Sequence, residues 1–276
     1  MPAHPMTTLP GLCRRLACSL LALSALVTLP VHAEADLSSL QLISSGAEDS
    51  PVPQGLVLGG VYIGANARYL ALDDMSLVVP GGVYFGERFM YLGDRARYYF
   101  YREGGFAAFA YGRVRFGNLD PADASELSGM KKREWEPEAG IGANFVTPYA
   151  LLTMRAASDI SGTSKGQEFL LWSDFPIVHG RFLVMPGCGV LWRSSKLANY
   201  YFGGVSADEA RPDRPQHDTG ATWSPMLSLI TSYRFDRHWL GTVSGNLEHF
   251  DSGTAKSPIV GHDNEVTVIA GVGYIW

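Results

Sequence analysis

The feature that most constrains the fold is a two-residue alternation of apolar and polar side chains in the last quarter of the chain. Within residues 221–235, every second side chain is apolar or aromatic, and the intervening positions are mostly Ser, Thr and Arg. Residues 239–248 repeat the pattern after a tight turn at Asp236-Arg237. Because successive side chains of a strand point to opposite faces, each segment predicts a long strand with one apolar and one polar face. Together they predict a β-hairpin.

The last residues continue this alternation. Val266, Val268, Ala270, Val272, Tyr274 and Trp276 share one predicted face. A terminal aromatic residue with apolar residues at alternate positions before it resembles the signal recognised by the outer-membrane assembly machinery. Tyr274 and Trp276 are therefore candidate assembly-signal residues, and the Trp276 ring is expected in the aromatic girdle at a membrane interface.

Eight earlier segments also have the character of strands. They span residues 56–65, 76–85, 88–101, 106–116, 135–147, 149–158, 167–178 and 181–193. Many are about ten residues or longer, which is enough to cross a bilayer at a tilt. Short turns alternate with long polar connections at 117–134, 194–220 and 251–264. Lipid cannot satisfy backbone N–H and C=O groups, so such strands must close into a ring. The prediction is an all-β fold, a transmembrane antiparallel β-barrel of the outer membrane formed by residues 55–276.

The number of strands stays open at this point. Eleven candidates are counted, whereas single-chain bacterial barrels have an even number. Either residues 76–101 hold one spanning strand and a bent or non-spanning piece, or a further strand precedes Leu56. Pro80 and Gly81-Gly82 favour the first option. We expect 10–12 strands.

The amino-terminal residues have the pattern of an export signal. Arg14 and Arg15 precede an apolar run over 16–31, and Val31-His32-Ala33 offers a cleavage site. Residues 1–33 are therefore predicted to be a cleaved signal peptide, and 34–54 a periplasmic segment. Removing the two arginines takes the formal net charge from −5 to −7. An acidic protein is a poor partner for nucleic acid, because such binding depends on neutralising phosphates.

Patterns for catalysis and metal binding are weak. No histidine stands in the His-x-Ser pattern expected of barrel lipid hydrolases, and His249 and Ser252 are three residues apart. The pairs His217-Asp218 and His262-Asp263 fall in predicted loops without fixed spacing. We expect no enzyme activity, no metal and no cofactor.

Charged residues at alternate positions are expected to face the lumen. They are Arg113, Arg115, Glu136, Glu138, Asp174, Arg193, Arg234 and Glu248. These side chains either line a pore or form an ion-pair network that plugs a narrow barrel, and the plug is favoured because charges away from water need partners.

The loop after Arg193 carries a family resemblance. Residues 199–206 read NYYFGGVS and are followed by Glu209-Ala210; Trp223-Ser224-Pro225, Ser257-Pro258-Ile259-Val260 and Leu127-Ser128-Gly129-Met130 are further pieces. In this order they resemble the MipA/OmpV family of outer-membrane proteins, over roughly residues 55–276. The family commonly ends on phenylalanine, whereas this chain ends on Ile275-Trp276.

The resemblance implies an outer-membrane barrel that contacts lipid and the assembly machinery. For well-known members it implies a non-enzymatic scaffold linking a lytic transglycosylase to a murein synthase. A small-solute pore, a surface adhesin or an envelope-stress barrel is the alternative. The candidate partner or loop motif comprises Tyr200, Tyr201, Phe202, Gly204, Val205, Ser206, Glu209, Ser257 and Pro258. It is expected either to bind a partner or to fold back on the barrel.

Overall fold

The computed structural model describes residues 39–70, 72–117 and 119–276. Its strands are β1 (Gly55–Ala65), β2 (Met75–Phe85), β3 (Phe89–Tyr91), β4 (Arg95–Glu103), β5 (Phe106–Arg115), β6 (Glu136–Val146), β7 (Leu151–Asp159), β8 (Gln167–Asp174), β9 (Ile177–His179), β10 (Phe182–Arg193), β11 (Thr222–Arg234), β12 (Trp239–His249) and β13 (Asn264–Ile275). The helices are α1 (Leu40–Ile43), α2 (Ser195–Tyr201) and α3 (Ser252–Ala255), with a 3₁₀ turn at Ser125–Leu127. None of the helices in this described part of the chain is both long and apolar enough to cross a membrane.

The strands form one antiparallel sheet that closes on itself. Except for β8 and β9, neighbours in sequence pair with each other, and β1 pairs with β13 to complete the ring. Both β8 and β9 pair with β10, and the Phe175 amide bonds Pro186 O at 2.9 Å between them, so they are two halves of one strand. The ring therefore has twelve strands. This confirms the predicted fold class.

The closure between β2 and β4 is unusual. Only two residue pairs, Tyr84↔Tyr91 and Phe85↔Met90, join β2 to the three-residue strand β3, whereas β1 and β2 share a register from Gly55 to Ala65. Among the described residues, positions 75–83 of β2 pair with β1 alone, so this length of β2 is a free edge. Pro80 lies within it, as expected of a residue that cannot donate to a ladder.

The observed strands differ from both arrangements predicted from the sequence for an even strand number. Residues 76–101 hold three strands, one of which has only three residues. No additional strand before Leu56 is needed for an even number.

The alternating side chains face the predicted directions, with apolar residues on the outer wall and polar residues in the lumen. Val243 and Val272 are about half exposed on the outer wall, at 49% and 52%, whereas Asn246 faces the lumen at 7%. Exposed aromatic side chains ring the end that carries the short turns: Tyr84, Phe89, Tyr98, Phe145, Phe182, Tyr233, Trp239 and Trp276. Short turns and long loops assign this end to the periplasm and the other end to the outside.

Residues 39–54 enter the periplasmic end of the lumen. Leu40 and Val52 pack with lumen-facing side chains that include Phe85, Leu183 and Ile230. Gln41 Nε2 donates to Gly86 O at 2.9 Å. The segment predicted to be periplasmic thus fills this mouth of the barrel, and the predicted signal peptide lies outside the described residues.

A charge placed on the outer wall tests the lipid-facing assignment. Leu229 lies midway along β11 on the exposed face, and Tyr149 lies in a periplasmic turn. We expect Leu229→Arg to lower the free energy of unfolding in lipid vesicles by about 2–4 kcal/mol, and Tyr149→Arg by about 0–1 kcal/mol, because the cost depends on depth. Equal effects in guanidinium titrations would contradict the assignment.

Candidate functional site

The lumen holds a compact ion-pair network on β5 to β8. Arg113 Nη2 and Arg115 Nη2 both donate to Glu168 Oε2, at 2.8 and 2.6 Å. Arg155 Nη2 donates to the other oxygen, Oε1, at 2.7 Å. Glu138 accepts from Arg113 Nε at 2.6 Å and from Arg115 Nε at 2.7 Å. Glu168 is thus a carboxylate shared by three arginines.

Groups of opposite charge surround each other in this network, which is what burial requires. Arg113, Arg115 and Arg155 face the carboxylates of Glu138 and Glu168, Glu136 lies 3.7 Å from Arg115 Nε, and all six side chains are buried. An ion removed from water without a partner costs several kcal/mol, so a buried network is stable only when its members are paired. Glu136 also accepts a hydrogen bond from the Ser164 amide at 3.1 Å.

All the charged residues that alternation placed in the lumen are buried, which confirms that prediction. Arg155 and Glu168 were not among the charged residues predicted to face the lumen. The available signal was the same alternation, because Arg155 on β7 and Glu168 on β8 lie at lumen-facing positions of strands that had been recognised.

Above the network, three guanidinium groups lie close to one aromatic ring. The Phe202 ring centre lies 3.7 Å from Arg193 Cζ, 4.2 Å from Arg68 Cζ and 5.7 Å from Arg115 Cζ. Arg68 and Arg193 are each paired with a buried carboxylate, on Glu265 and Glu248. The ring therefore adds cation–π attraction to ion pairs that are already neutral.

Phe202 is placed by α2 and the loop after it. Tyr201 O accepts from Arg68 Nη1 at 3.0 Å and from the Tyr69 hydroxyl at 2.9 Å. Gly203 has a φ of +108°, and a Cβ there would lie 2.8 Å from the Cβ of Ser257. A side chain is excluded at this position by both conformation and space. We call residues 195–209 the loop cap, because they cover the outer mouth of the lumen.

A buried carboxylate at the end of the loop cap anchors it to a neighbouring loop. Glu209 accepts from Arg133 Nη1 at 3.0 Å and from the amides of Lys131 and Ser206 at 2.8 and 3.0 Å. Burial acts to raise the pKa of Glu209, but these hydrogen bonds and the charge of Arg133 outweigh it and lower the pKa to about 2. Glu209 thus joins the loop cap to the loop between β5 and β6.

Most of the predicted loop motif is therefore inside. Buried members are Tyr201, Phe202, Gly204, Val205, Glu209 and Ser257; Tyr200 and Pro258 are partly buried, and Ser206 is exposed. The segment folds back on the barrel and brings the two parts of the motif together, since Ser257 Oγ donates to Gly203 O. Whether its accessible members bind a partner stays a prediction.

The candidate assembly-signal residues lie on the outer wall at the periplasmic end. The Tyr274 ring stacks on His238 and meets Trp276 edge-on at 5.5 Å. His217, from one of the His-Asp pairs, bonds Gly253 O through Nε2 at 2.6 Å. No group of three or more His, Cys, Asp or Glu among residues 39–70, 72–117 and 119–276 is placed to hold a metal ion.

These features define a class of protein. A ring of twelve strands with an apolar outer wall and a paired, charged lumen is an integral β-barrel of the outer membrane. The chain belongs to the MltA-interacting protein MipA family, whose model matches residues 57–276.

Named relatives agree with this assignment. The MltA-interacting protein of Escherichia coli (strain K12) is 24% identical over 198 residues, which are 71% of this chain and 80% of that protein. Outer membrane protein OmpV of Vibrio cholerae is 28% identical over 155 residues, 56% of this chain and 60% of that protein.

Among solved structures, the COG4313 outer membrane channel from Pseudomonas putida F1 aligns with 83% of this chain and 98% of that one, at 12% identity and a TM-score of 0.40.

Removing the shared carboxylate tests the lumen network. In Glu168→Gln, three buried arginines lose a common counter-charge, so we expect the free energy of unfolding to fall by about 3–5 kcal/mol. Glu134→Gln, at an exposed loop position, is the matched control and should change little. Similar denaturation midpoints for the two variants would contradict the role given to Glu168.

The titration of Glu209 tests the loop cap. The pKa is lowered in the folded protein, so its contribution to stability is present above the ordinary value of about 4.3 and is lost as the pH falls towards 2. NMR shifts of the Lys131 and Ser206 amide protons should titrate with a midpoint near the lowered value, and Glu209→Gln should abolish that titration. A midpoint near 4.3 would show that the carboxylate is solvated.

Proposed function

We propose that this barrel is a non-enzymatic scaffold that holds murein-remodelling enzymes at the periplasmic face of the outer membrane. The observation that carries the proposal is the relationship to a protein named for its interaction with MltA, a lytic transglycosylase. A murein synthase is the second proposed partner, by the same relationship. We assign no catalysis to the chain.

The filled lumen supports a role at the surface rather than through a pore. The loop cap covers the outer mouth, and residues 39–54 fill the periplasmic mouth. Between them stands the network centred on Glu168. A continuous water path would have to cross all three layers, so we expect the resting protein to show no steady conductance.

Within the part of the chain that the structure describes, the periplasmic surface carries an acidic turn. A short turn between Ser45 and Pro53 carries two exposed carboxylates, Glu48 and Asp49. It is fixed to the barrel because Arg234 Nη1 donates to Ala47 O at 2.8 Å and Ser232 Oγ donates to Pro51 O at 3.1 Å. An acidic tip on a rigid base is a suitable contact for a basic patch on a soluble enzyme.

Binding to a purified lytic transglycosylase of the same cell tests the scaffold. The full-length barrel in detergent should bind it, and the double variant Glu48→Lys, Asp49→Lys should bind about tenfold more weakly, because charge reversal replaces attraction by repulsion. The matched control is Asp123→Lys, Asp213→Lys, which reverses two exposed charges in the outer loops.

Other outcomes separate the alternatives. Equal weakening by both double variants would mean that net charge, not the periplasmic tip, governs binding. A wild-type barrel that binds neither enzyme class but shows discrete conductance steps in planar bilayers would replace the scaffold by a small-solute pore.

A further inference from the structure

The outer wall of the barrel contains a groove. Its cavity volume is about 570 Å³, and it crosses β10 to β13, β1 and β2 on the lipid-facing side. One row of its lining residues pairs directly across strands: Phe182, Tyr233, Gly241, Val272 and Gly60. The two glycines interrupt this row of large side chains. The wall is therefore recessed at these two positions.

The next row continues the hollow. Ala270 lies between Val243 and Tyr62 in register, and Tyr62 pairs with Val78. The exposed side chains that line the groove are apolar or aromatic, whereas Thr231 and Thr242 are partly buried and Ser232 is buried. A groove with this lining is suited to a hydrocarbon chain rather than to a polar ligand.

One end of the groove reaches two basic turns. Phe182 follows Arg181 in the chain, and Phe235 precedes Asp236-Arg237. Arg181 Nη1 donates to Phe235 O at 3.2 Å, which holds its guanidinium beside the groove. Both arginines are exposed, and the Asp236 carboxylate between them accepts from the amides of His238 and Trp239 at 2.7 and 2.9 Å. Asp236 offsets one of the two positive charges, so the turns together keep a net charge of about +1.

We propose that this groove is a binding site for an anionic phospholipid of the inner leaflet. The phosphate group lies between Arg181 and Arg237, since guanidinium groups match phosphate oxygens in geometry and charge. One acyl chain lies across Gly241 and Gly60. The basic turns stand at the periplasmic end of the strands, which is the level of the inner-leaflet headgroups.

Charge argues against a second copy as the occupant. In a two-fold symmetric contact, the same patch of both copies would meet. A symmetric dimer on this groove would bring the basic turns of both copies together at one membrane level, with Arg181 and Arg237 contributed twice. A negatively charged lipid satisfies the same arginines.

Native mass spectrometry of the purified full-length barrel tests the proposal. The probes are dioleoyl phosphatidylglycerol, which is anionic, and dioleoyl phosphatidylethanolamine, which is zwitterionic and has the same chains. We expect the anionic lipid to be retained about tenfold better, the effect of one charge-assisted hydrogen bond. The double variant Arg181→Gln, Arg237→Gln should abolish this preference, whereas Arg88→Gln in another periplasmic turn should keep it.

A second variant tests the groove itself. A Cβ at Gly60 would meet nothing within 4 Å, so Gly60→Leu can fold and fill the hollow. It should reduce retention of both lipids, whereas Ala156→Leu, exposed on the outer face of β7, should not. Equal retention of the two lipids by the wild type would overturn the headgroup assignment. A dimer mass that disappears in Gly60→Leu would show that the groove holds a second copy instead.

Discussion

The structure depends on pairing backbone N–H and C=O groups within the protein, because the surrounding lipid offers no hydrogen-bond partners. Long registers satisfy this between most neighbouring strands, but between β2 and β4 the ring is closed by the three residues of β3. Lipid does not tolerate an open edge unless protein or water covers it. The free edge at 75–83 is therefore the weakest part of the wall. Pro80 leaves one backbone N–H fewer without a partner there, because proline has no N–H to donate.

The alternation that turns apolar side chains to lipid also sends every second residue inward. In so narrow a barrel there is no room for bulk water around each charge, so the charges must neutralise each other. Glu168 shared by three arginines and the pairs on Arg68 and Arg193 are the result. The apolar outer wall and the ion-pair network therefore both follow from the alternation of side chains along the strands. The aromatic ring of Phe202 covers the network where the strands end.

Much of the wall could be predicted from local pattern, because a period of two needs only neighbouring residues. The strand predicted at 221–235 is observed at Thr222–Arg234. The strand Phe89–Tyr91 could not be predicted, since the aromatic-rich run at 88–101 conceals the turn at Gly93. The place of Phe202 was equally hidden. Its partners on β10 and in the first loop come together only through the closed ring, and no spacing in the sequence records that.

The loop motif shared with the family consists mainly of residues that pack inside the barrel. The residues of the loop motif that carry the resemblance are mostly buried, and their contacts explain them: Gly203 by its φ and Glu209 by its five donor atoms. Side chains that serve packing identify the fold without identifying a partner. We therefore look for the proposed partner contact among exposed residues rather than in the buried part of the motif. The acidic turn at Glu48-Asp49 is such a place, because the barrel holds its backbone rigid while its side chains remain free in the periplasm.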